Sequence, residues 1–490
     1  MRIVTLNPPF LKNFSREARS PAVAKSGTLY YPMWLAYATG YLEKNGHTVK
    51  LIDAVAEELS AEDSVSQVCD FKPDMVAVDT STPSIYNDIK IAEEIKRNVP
   101  YIYIILVGPH VSTCPVDTLQ ISDSIDAVTI KEYDATLLRL ADRLGTPYGK
   151  DSVLAEIGGI AYRSSKNEIF VNGESTFITD LDVFPFVSSV YKKHLKIEKY
   201  FYSHSRYPVL SLVTGRGCPY HCTYCVLPQA LHGHTFRRRS IANVVCEFLY
   251  IADQMPHVKE IMLEDDTITA DKDRCREFAY SLLEARATTI PWSANARADL
   301  DLESLQLLRR AGCRLLCVGL ESGNQDILNN VKKGTTINGI ERFIRDAKKA
   351  GILIHGCFMV GNRGETADSL VNTLNFAKTL NPDTAQFFPL MVYPGTSDFE
   401  YYKSKGWIST MDFRKWITPD GLHSSVVSNP DLTYEELVEF CNSSRLSFYL
   451  RPRYIVSKVL QILRNPSEGP RVFKAFQSLI PYIYRSPSKA

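Results

Sequence analysis

A chain of 490 residues holds two or three domains, and with 45% hydrophobic residues, 23% charged residues and a net charge of +1 it has a globular composition and no overall pull toward nucleic acid or acidic partners. No run approaches the roughly 18 apolar residues of a membrane span, and the opening MRIVTLNPPF reads as a strand and turn, not as a signal peptide. The 11 cysteines, with no secretory signal, point to a reducing cytoplasm in which thiols ligate metal or lie buried.

From Met1 to about residue 145, apolar strands alternate with amphipathic helices. Strands are expected at Arg2–Leu6, Thr48–Ile52, Asp74–Asp79, Ile102–Val107 and Asp126–Ile130. Helices are expected at Pro32–Lys44, Ser60–Asp70, Ser84–Asn98, Val116–Ile121 and Ala135–Arg143. This alternation predicts an α/β fold with a doubly wound parallel sheet of Rossmann or flavodoxin type. Ligands of such sheets lie beyond the carboxyl ends of the strands. The loops there carry Asn7-Pro8-Pro9, Thr80-Ser81, Gly108-Pro109-His110 and Lys131-Glu132, which allow close backbone approach and supply small donors.

Residues 146–208 change character. Gly158–Arg163 and Glu168–Val171 read as a hairpin, and the Pro- and Tyr-rich passage up to Pro208 reads as a linker. Its aromatics are expected to pack on the surface or line a substrate entry.

At Val209 the βα alternation resumes, and strands are expected near 209–214, 259–264, 291–294, 314–319, 353–360 and 384–391. Six such units predict a partial (βα)6 barrel over 209–396, with chemistry at the carboxyl ends of its strands. Directly after the first strand come Cys218, Cys222 and Cys225, at spacing C-x3-C-x2-C, with Tyr224 before the last. One short loop can wrap a cubane iron–sulfur cluster with three thiolates, leaving one iron free where a four-cysteine ferredoxin leaves none. A zinc loop is the alternative, but zinc sites usually pair two ligand units and no second unit is visible. The remaining eight cysteines are scattered and read as small buried hydrophobes.

Later strand ends carry Glu264-Asp265-Asp266, Arg297, Glu321-Ser322 and Gly361. Carboxylates there suit an ammonium or ribose hydroxyls, and an arginine suits a carboxylate. Taken singly, each is also a plausible cap, turn or surface ion pair. Arg237-Arg238-Arg239 ahead of Ser240 reads as a helix start or anion-binding segment, and no nucleic acid is expected. Residues 397–490 read as helical, at Ser397–Lys405, Thr433–Tyr449, Pro452–Leu463 and Arg471–Tyr482. From Arg445 on they carry nine Lys or Arg against one acid, Glu468. Such a segment either caps the barrel with a solvated basic face or lies on an anionic membrane.

Cys218, Cys222, Cys225 and Tyr224 match the signature of radical S-adenosylmethionine (radical SAM) enzymes, whose open iron chelates SAM. The resemblance implies a 4Fe-4S cluster on the three cysteines and SAM contacts at Tyr224, Glu264, Asp265, Arg297, Glu321, Ser322 and Gly361. The loop Gly361-Asn362-Arg363-Gly364-Glu365 departs from the commoner G-x-P-G-E, which leaves its contacts open. The first 145 residues resemble the cobalamin-binding domain of such enzymes, through Asn7-Pro8-Pro9, Tyr31-Pro32, Gly46-His47, Asp53 and Gly108-Pro109-His110. By that resemblance Asn7, Pro8, Pro9, Thr80, Ser81, Gly108, Pro109, His110 and Glu132 face cobalamin. The motif D-x-H-x-x-G is missing, so His110 is expected at the pocket mouth and not on cobalt.

His232–His234, Asp265-Asp266-Thr267, Trp292–Asp299, Ile327–Lys333, His355-Gly356 and Tyr393–Thr396 are similar to the branch with hopanoid cyclitol-forming proteins and anaerobic Mg-protoporphyrin ester cyclases. The implied function is radical cyclisation, rearrangement or C-methylation of a small-molecule or lipid-linked substrate. Its electrons would come from a carrier such as flavodoxin or ferredoxin, and its location would be the cytoplasm or the cytoplasmic membrane face. A non-catalytic cobalamin or cluster sensor is one alternative. Methylthiotransferase-like RNA modification is another, but it usually brings a further cysteine set that Cys69 and Cys114 do not supply.

Overall fold

The computed structural model describes residues 1–144, 150–173, 175–464, 466–469 and 472–473. Strands of three or more residues are numbered in chain order. β1 (Arg2–Asn7), β2 (Thr48–Asp53), β3 (Met75–Asp79), β4 (Tyr103–Val107) and β5 (Ala127–Thr129) run parallel in the order β2-β1-β3-β4-β5. These strands are apolar on both faces because helices cover both. On one face Val4, Leu6, Val76 and Val78 pack with Ile89 and Ala92 of the helix Ile85–Asn98. On the other, Ile3, Met75 and Ala77 join the helix Met33–Lys44 in a core that runs on into the second domain. The chain leaves β1 for β2 on one side and returns to β3 on the other, so the switch point lies between β1 and β3.

The hairpin forms as β6 (Ile160–Arg163) and β7 (Ile169–Val171), but not within a linker. It adds antiparallel to β5, with Thr129 opposite Ile160, and covers the edge of a three-residue buried strand. Of the linker tyrosines, Tyr191, Tyr200 and Tyr202 are buried and only Tyr207 packs on the surface. Tyr31 stacks between Tyr200, at 3.9 Å, and Tyr191, at 4.4 Å, all three fully buried. Tyr31 Oη donates to Val209 O and Tyr200 Oη to Asp53 Oδ2, so the cluster joins both sheets.

The second sheet is parallel and consecutive: β8 (Val209–Leu212), β9 (Glu260–Leu263), β10 (Trp292–Ala296), β11 (Cys313–Glu321), β12 (Leu353–Val360) and β13 (Thr384–Pro389). It is a six-stranded open barrel with β8 and β13 as edges. The helix Tyr434–Tyr449 covers β13, where Tyr449 Oη accepts from Ala385 N and donates to Ala385 O. That helix starts in a capping box between Thr433 and Glu436. Helices at Ser397–Lys405 and Pro452–Arg464 match expectation. The helix expected at Arg471–Tyr482 lies outside the described residues except for Val472 and Phe473. No described helix is long and apolar enough to cross a membrane.

Candidate active site

The cysteine loop leaves β8 through Gly217, whose φ of +88° and surroundings require glycine: a Cβ there would stand 2.2 Å from Thr235 O. Cys218, Cys222 and Cys225 then line one cavity of about 910 Å³. A single side chain shapes the loop from within. Gln229, in a π-helical turn over Leu227–His232, donates from Nε2 to the carbonyls of Cys225 at 2.8 Å, Cys222 at 3.2 Å and Thr223 at 3.3 Å. Its Oε1 accepts from Ser397 N. Burial raises the thiol pKa of Cys218 and Cys225, and nearby Arg19 opposes this for both. Three thiols on one loop facing one cavity fit a three-thiolate cluster site.

Around them stand the polar strand ends. Glu321 ends β11 with φ +60°, uncommon outside glycine. Its Oε1 accepts from Lys333 Nζ at 2.7 Å and from Tyr224 Oη at 2.9 Å. Arg297 lies over the Tyr220 ring at 3.6 Å and donates to Lys333 O. Glu264 and Asp266 line the cavity, and Glu264 Oε1 and Asp266 Oδ1 are buried without a hydrogen-bond partner. Such orphaned oxygens fit a cationic ligand group. Burial raises the Glu264 carboxyl; it would raise Asp266 too, but His232 at 3.1 Å and Arg19 outweigh it and hold that carboxyl low.

Asp265, expected among the cofactor contacts, does not face the cavity. Its carboxylate accepts from Thr214 N and Oγ1, and burial raises its pKa to about 6. Ser322 is turned to Thr373 Oγ1. Gly361 donates to Glu365 and packs against Val427 and Leu437, also off the cavity.

In the first domain, Ser81, Gly108 and Pro109 line a crevice of about 20 Å³ at the strand ends. Gly108 has φ +116°, and a Cβ there would meet Thr80 O at 2.5 Å. The switch point itself is filled by Arg16, which sequence reasoning missed. Its guanidinium donates to Asn7 Oδ1, to Pro8 O and to Asp88. Asn7, Pro8 and Pro9 are thus occupied by protein groups: Pro9 O accepts from Asn87. Thr80 donates to Val107 O, inside the sheet. His110 is buried, 3.1 Å from Thr82 Oγ1 and edge-on to Phe413, and burial lowers its pKa to about 4. Glu132 pairs with Arg237 and Arg216, at the seam between the two sheets and off both cavities.

Glu17 and Asp79 form a buried carboxyl pair at the crevice. Burial raises both; Asp79 adds to the rise at Glu17, and burial with the neighbouring Asp88 and Asp53 carboxylates, against Arg16, raises Asp79 to about 8. Glu17 accepts from Trp34 N and Leu35 N at a helix start, whereas Asp79 Oδ2 has no hydrogen-bond partner. The close-approach glycine and the small hydroxyls suit the amide fringe of a corrin, but a crevice of about 20 Å³ has room for about one water and not for the ring itself. Glu17, Trp34, Val226, Leu227 and Tyr393 line crevice and cavity alike, so the two spaces share a wall.

Arg16, Glu17, Arg19 and Lys333 were missed in the sequence. Only Lys333 had a signal, inside the run Ile327–Lys333, and no role attached to it. Arg237, Arg238 and Arg239 pair with Glu132, Asp271 and Glu247, and Ser240 caps the helix Ile241–Gln254 as expected. Of the cysteines expected to be buried, Cys246 is exposed, while Cys69, Cys114, Cys317 and Cys357 are half-buried.

Family comparison places this geometry. The B12 binding domain matches residues 19–141, and the radical SAM superfamily matches residues 212–377. A Pyrococcus horikoshii protein named as an uncharacterized methyltransferase is 29% identical over 94% of this chain and 95% of its own length. The anaerobic magnesium-protoporphyrin IX monomethyl ester cyclase of Rubrivivax gelatinosus is 28% identical over 86% of this chain and 74% of its own. The methyltransferase TsrM from Kitasatospora setae, solved with cobalamin and a [4Fe-4S] cluster, shares the fold at TM-score 0.68 and 18% identity, over 92% and 91% of the two chains. With both domains in one chain, in relatives that span nearly all of it, the protein belongs to the cobalamin-binding radical SAM enzymes.

Proposed function

We propose that this enzyme C-methylates a largely apolar substrate held in the 910 Å³ cavity. The observation that carries the reading is the shared wall: one set of side chains bounds both the space beneath the cysteines and the crevice of the B12 domain. A substrate carbon in the cavity then meets both cofactors without leaving the protein. Cys218, Cys222 and Cys225 hold the cluster, Glu264, Asp266, Arg297 and Glu321 hold SAM, and Ser81, Gly108 and Pro109 support cobalamin. When bound, the cluster and SAM supply a 5′-deoxyadenosyl radical and cobalamin supplies a methyl group. Lys333 fixes the direction of Glu321, Gln229 sets the loop carbonyls, and the apolar walls exclude water. A small carrier such as flavodoxin or ferredoxin supplies the electron.

Reduced enzyme with SAM, cobalamin and host extract should form 5′-deoxyadenosine and S-adenosylhomocysteine in near-equal amounts, and Cys222→Ala should form neither. Deoxyadenosine alone would instead support cyclisation or rearrangement, the reading favoured by the similarity to the ester cyclase.

The substrate is proposed to be lipid-linked. The cavity reaches Ile455 and Val459 of the helix Pro452–Arg464, where Ile455, Val456, Val459, Leu460 and Leu463 are exposed on one side and Arg453 lies nearby. This mouth suits the surface of an anionic membrane. Co-sedimentation with phosphatidylserine vesicles should fall in Ile455→Asp/Val459→Asp; equal binding by wild type and variant would exclude the contact.

A further inference from the structure

Cys317 and Cys357 have no part in the chemistry above, yet both face the cavity on adjacent strands. Cys317 on β11 lies opposite His355 on β12, and Gly319 lies opposite Cys357, so all these positions share the inner face. The ligand atoms of Cys317, His355 and Cys357 lie within 4.8 Å of one another. The two sulfurs are 3.9 Å apart. Two thiolates at tetrahedral angles on zinc, with Zn–S near 2.3 Å, stand about 3.8 Å apart. His355 Nδ1 meets Thr384 Oγ1 at 2.7 Å. A partner on Nδ1 is the usual arrangement that turns Nε2 toward a metal. Gly319 brings no side chain between the ligands and the cavity.

We propose that Cys317, His355 and Cys357 form a zinc site with its fourth position open to the substrate cavity. Binding releases two thiol protons: Zn²⁺ and two Cys–SH give a Zn(S-Cys)2 unit of zero net charge, as a half-buried position requires. No electron moves. Two thiolates and an imidazole select zinc over the hard cations, and three protein ligands with one open position are the arrangement of catalytic, not structural, zinc. The open position takes water in the free enzyme and an oxygen anion or thiolate of the substrate in the complex. The zinc site stands by itself; only the role of its open position rests on the enzyme reading above.

The test uses cluster-loaded holoenzyme given Zn²⁺ and then passed over a chelating resin, with zinc and iron counted together. Wild type is expected to retain about one zinc per chain, with two sulfur scatterers near 2.3 Å and one nitrogen near 2.0 Å in zinc X-ray absorption. Cys317→Ser and Cys357→Ser should lose the zinc and keep their iron, which also shows that they fold. Cys222→Ala should lose the iron and keep the zinc, so failure here and failure of the cluster reading are told apart. Adding 2-mercaptoethanol to the zinc-loaded protein should raise the sulfur count from two to three. Wild type without zinc, or zinc retained by both serine variants, overturns the site; a sulfur count that stays at two overturns the open position.

Discussion

Gln229 ties three carbonyls of the cysteine loop to one amide. Gln229→Leu should leave the barrel folded but release iron to a chelator roughly tenfold faster, the equivalent of one net hydrogen bond. Glu365 carries a pH dependence. Burial raises its carboxyl to about 7, against the accepted N–H groups of Asn362 and Gly361. A raised carboxyl favours the protonated native state, so its contribution is complete below the unfolded value and is lost as pH rises through about 7. Relative to Glu365→Gln, the wild type should lose on the order of 1–3 kcal/mol between pH 4.5 and 8, read from urea midpoints across that range. At this scale sequence reading names acids more easily than it aims them. Glu264, Asp265 and Asp266 stand in the loop beyond β9, where strand alternation no longer says which side chain faces in. Lys333 has no role attached in the run Ile327–Lys333 until the fold brings it 2.7 Å from Glu321.

The helix Val187–His194, inside the expected linker, was not read. The elements expected from the sequence were read to within a few residues because most strands are bounded apolar runs and many helices, chiefly those of the second domain and after it, start at a capping residue. Thr433 is one such cap, and Thr433→Ala should cost about 1 kcal/mol of stability, seen as a lower denaturant midpoint with an unchanged slope. What local sequence does not encode is pairing. The hairpin of β6 and β7 was legible, but its attachment to β5 depends on a distant edge needing cover. The π turn at Leu227–His232 is likewise set by its long-range contacts, among them Gln229 with Ser397 and Ser112 Oγ with Ala230 O.

Across the whole molecule the two sheets are joined by buried ions. Arg216 meets Asp134 at 2.6 Å and Glu132 at 3.5 Å, and Arg237 holds Glu132 from the other side. Arg216→Met would leave two carboxylates under-compensated, at a cost of about 3–5 kcal/mol, and calorimetry should then split unfolding into two transitions. Both domains were legible from their βα rhythm, but the seam was not: Glu132 in a strand-end loop looks the same whether it meets a cofactor or an arginine. The segment after β1 crosses that seam. Arg19 donates to Asp265 O at 2.6 Å, Ser20 meets Tyr393 at 2.9 Å and His423 at 2.7 Å, and Lys25 donates to Asn442 at 2.6 Å. The segment from Arg19 to Lys25 therefore finds its last seat only once Asn442, 417 positions beyond Lys25, has been made. A nascent chain that stops short of Asn442 lacks part of the chamber's wall, so the cavity cannot close before that residue has been made.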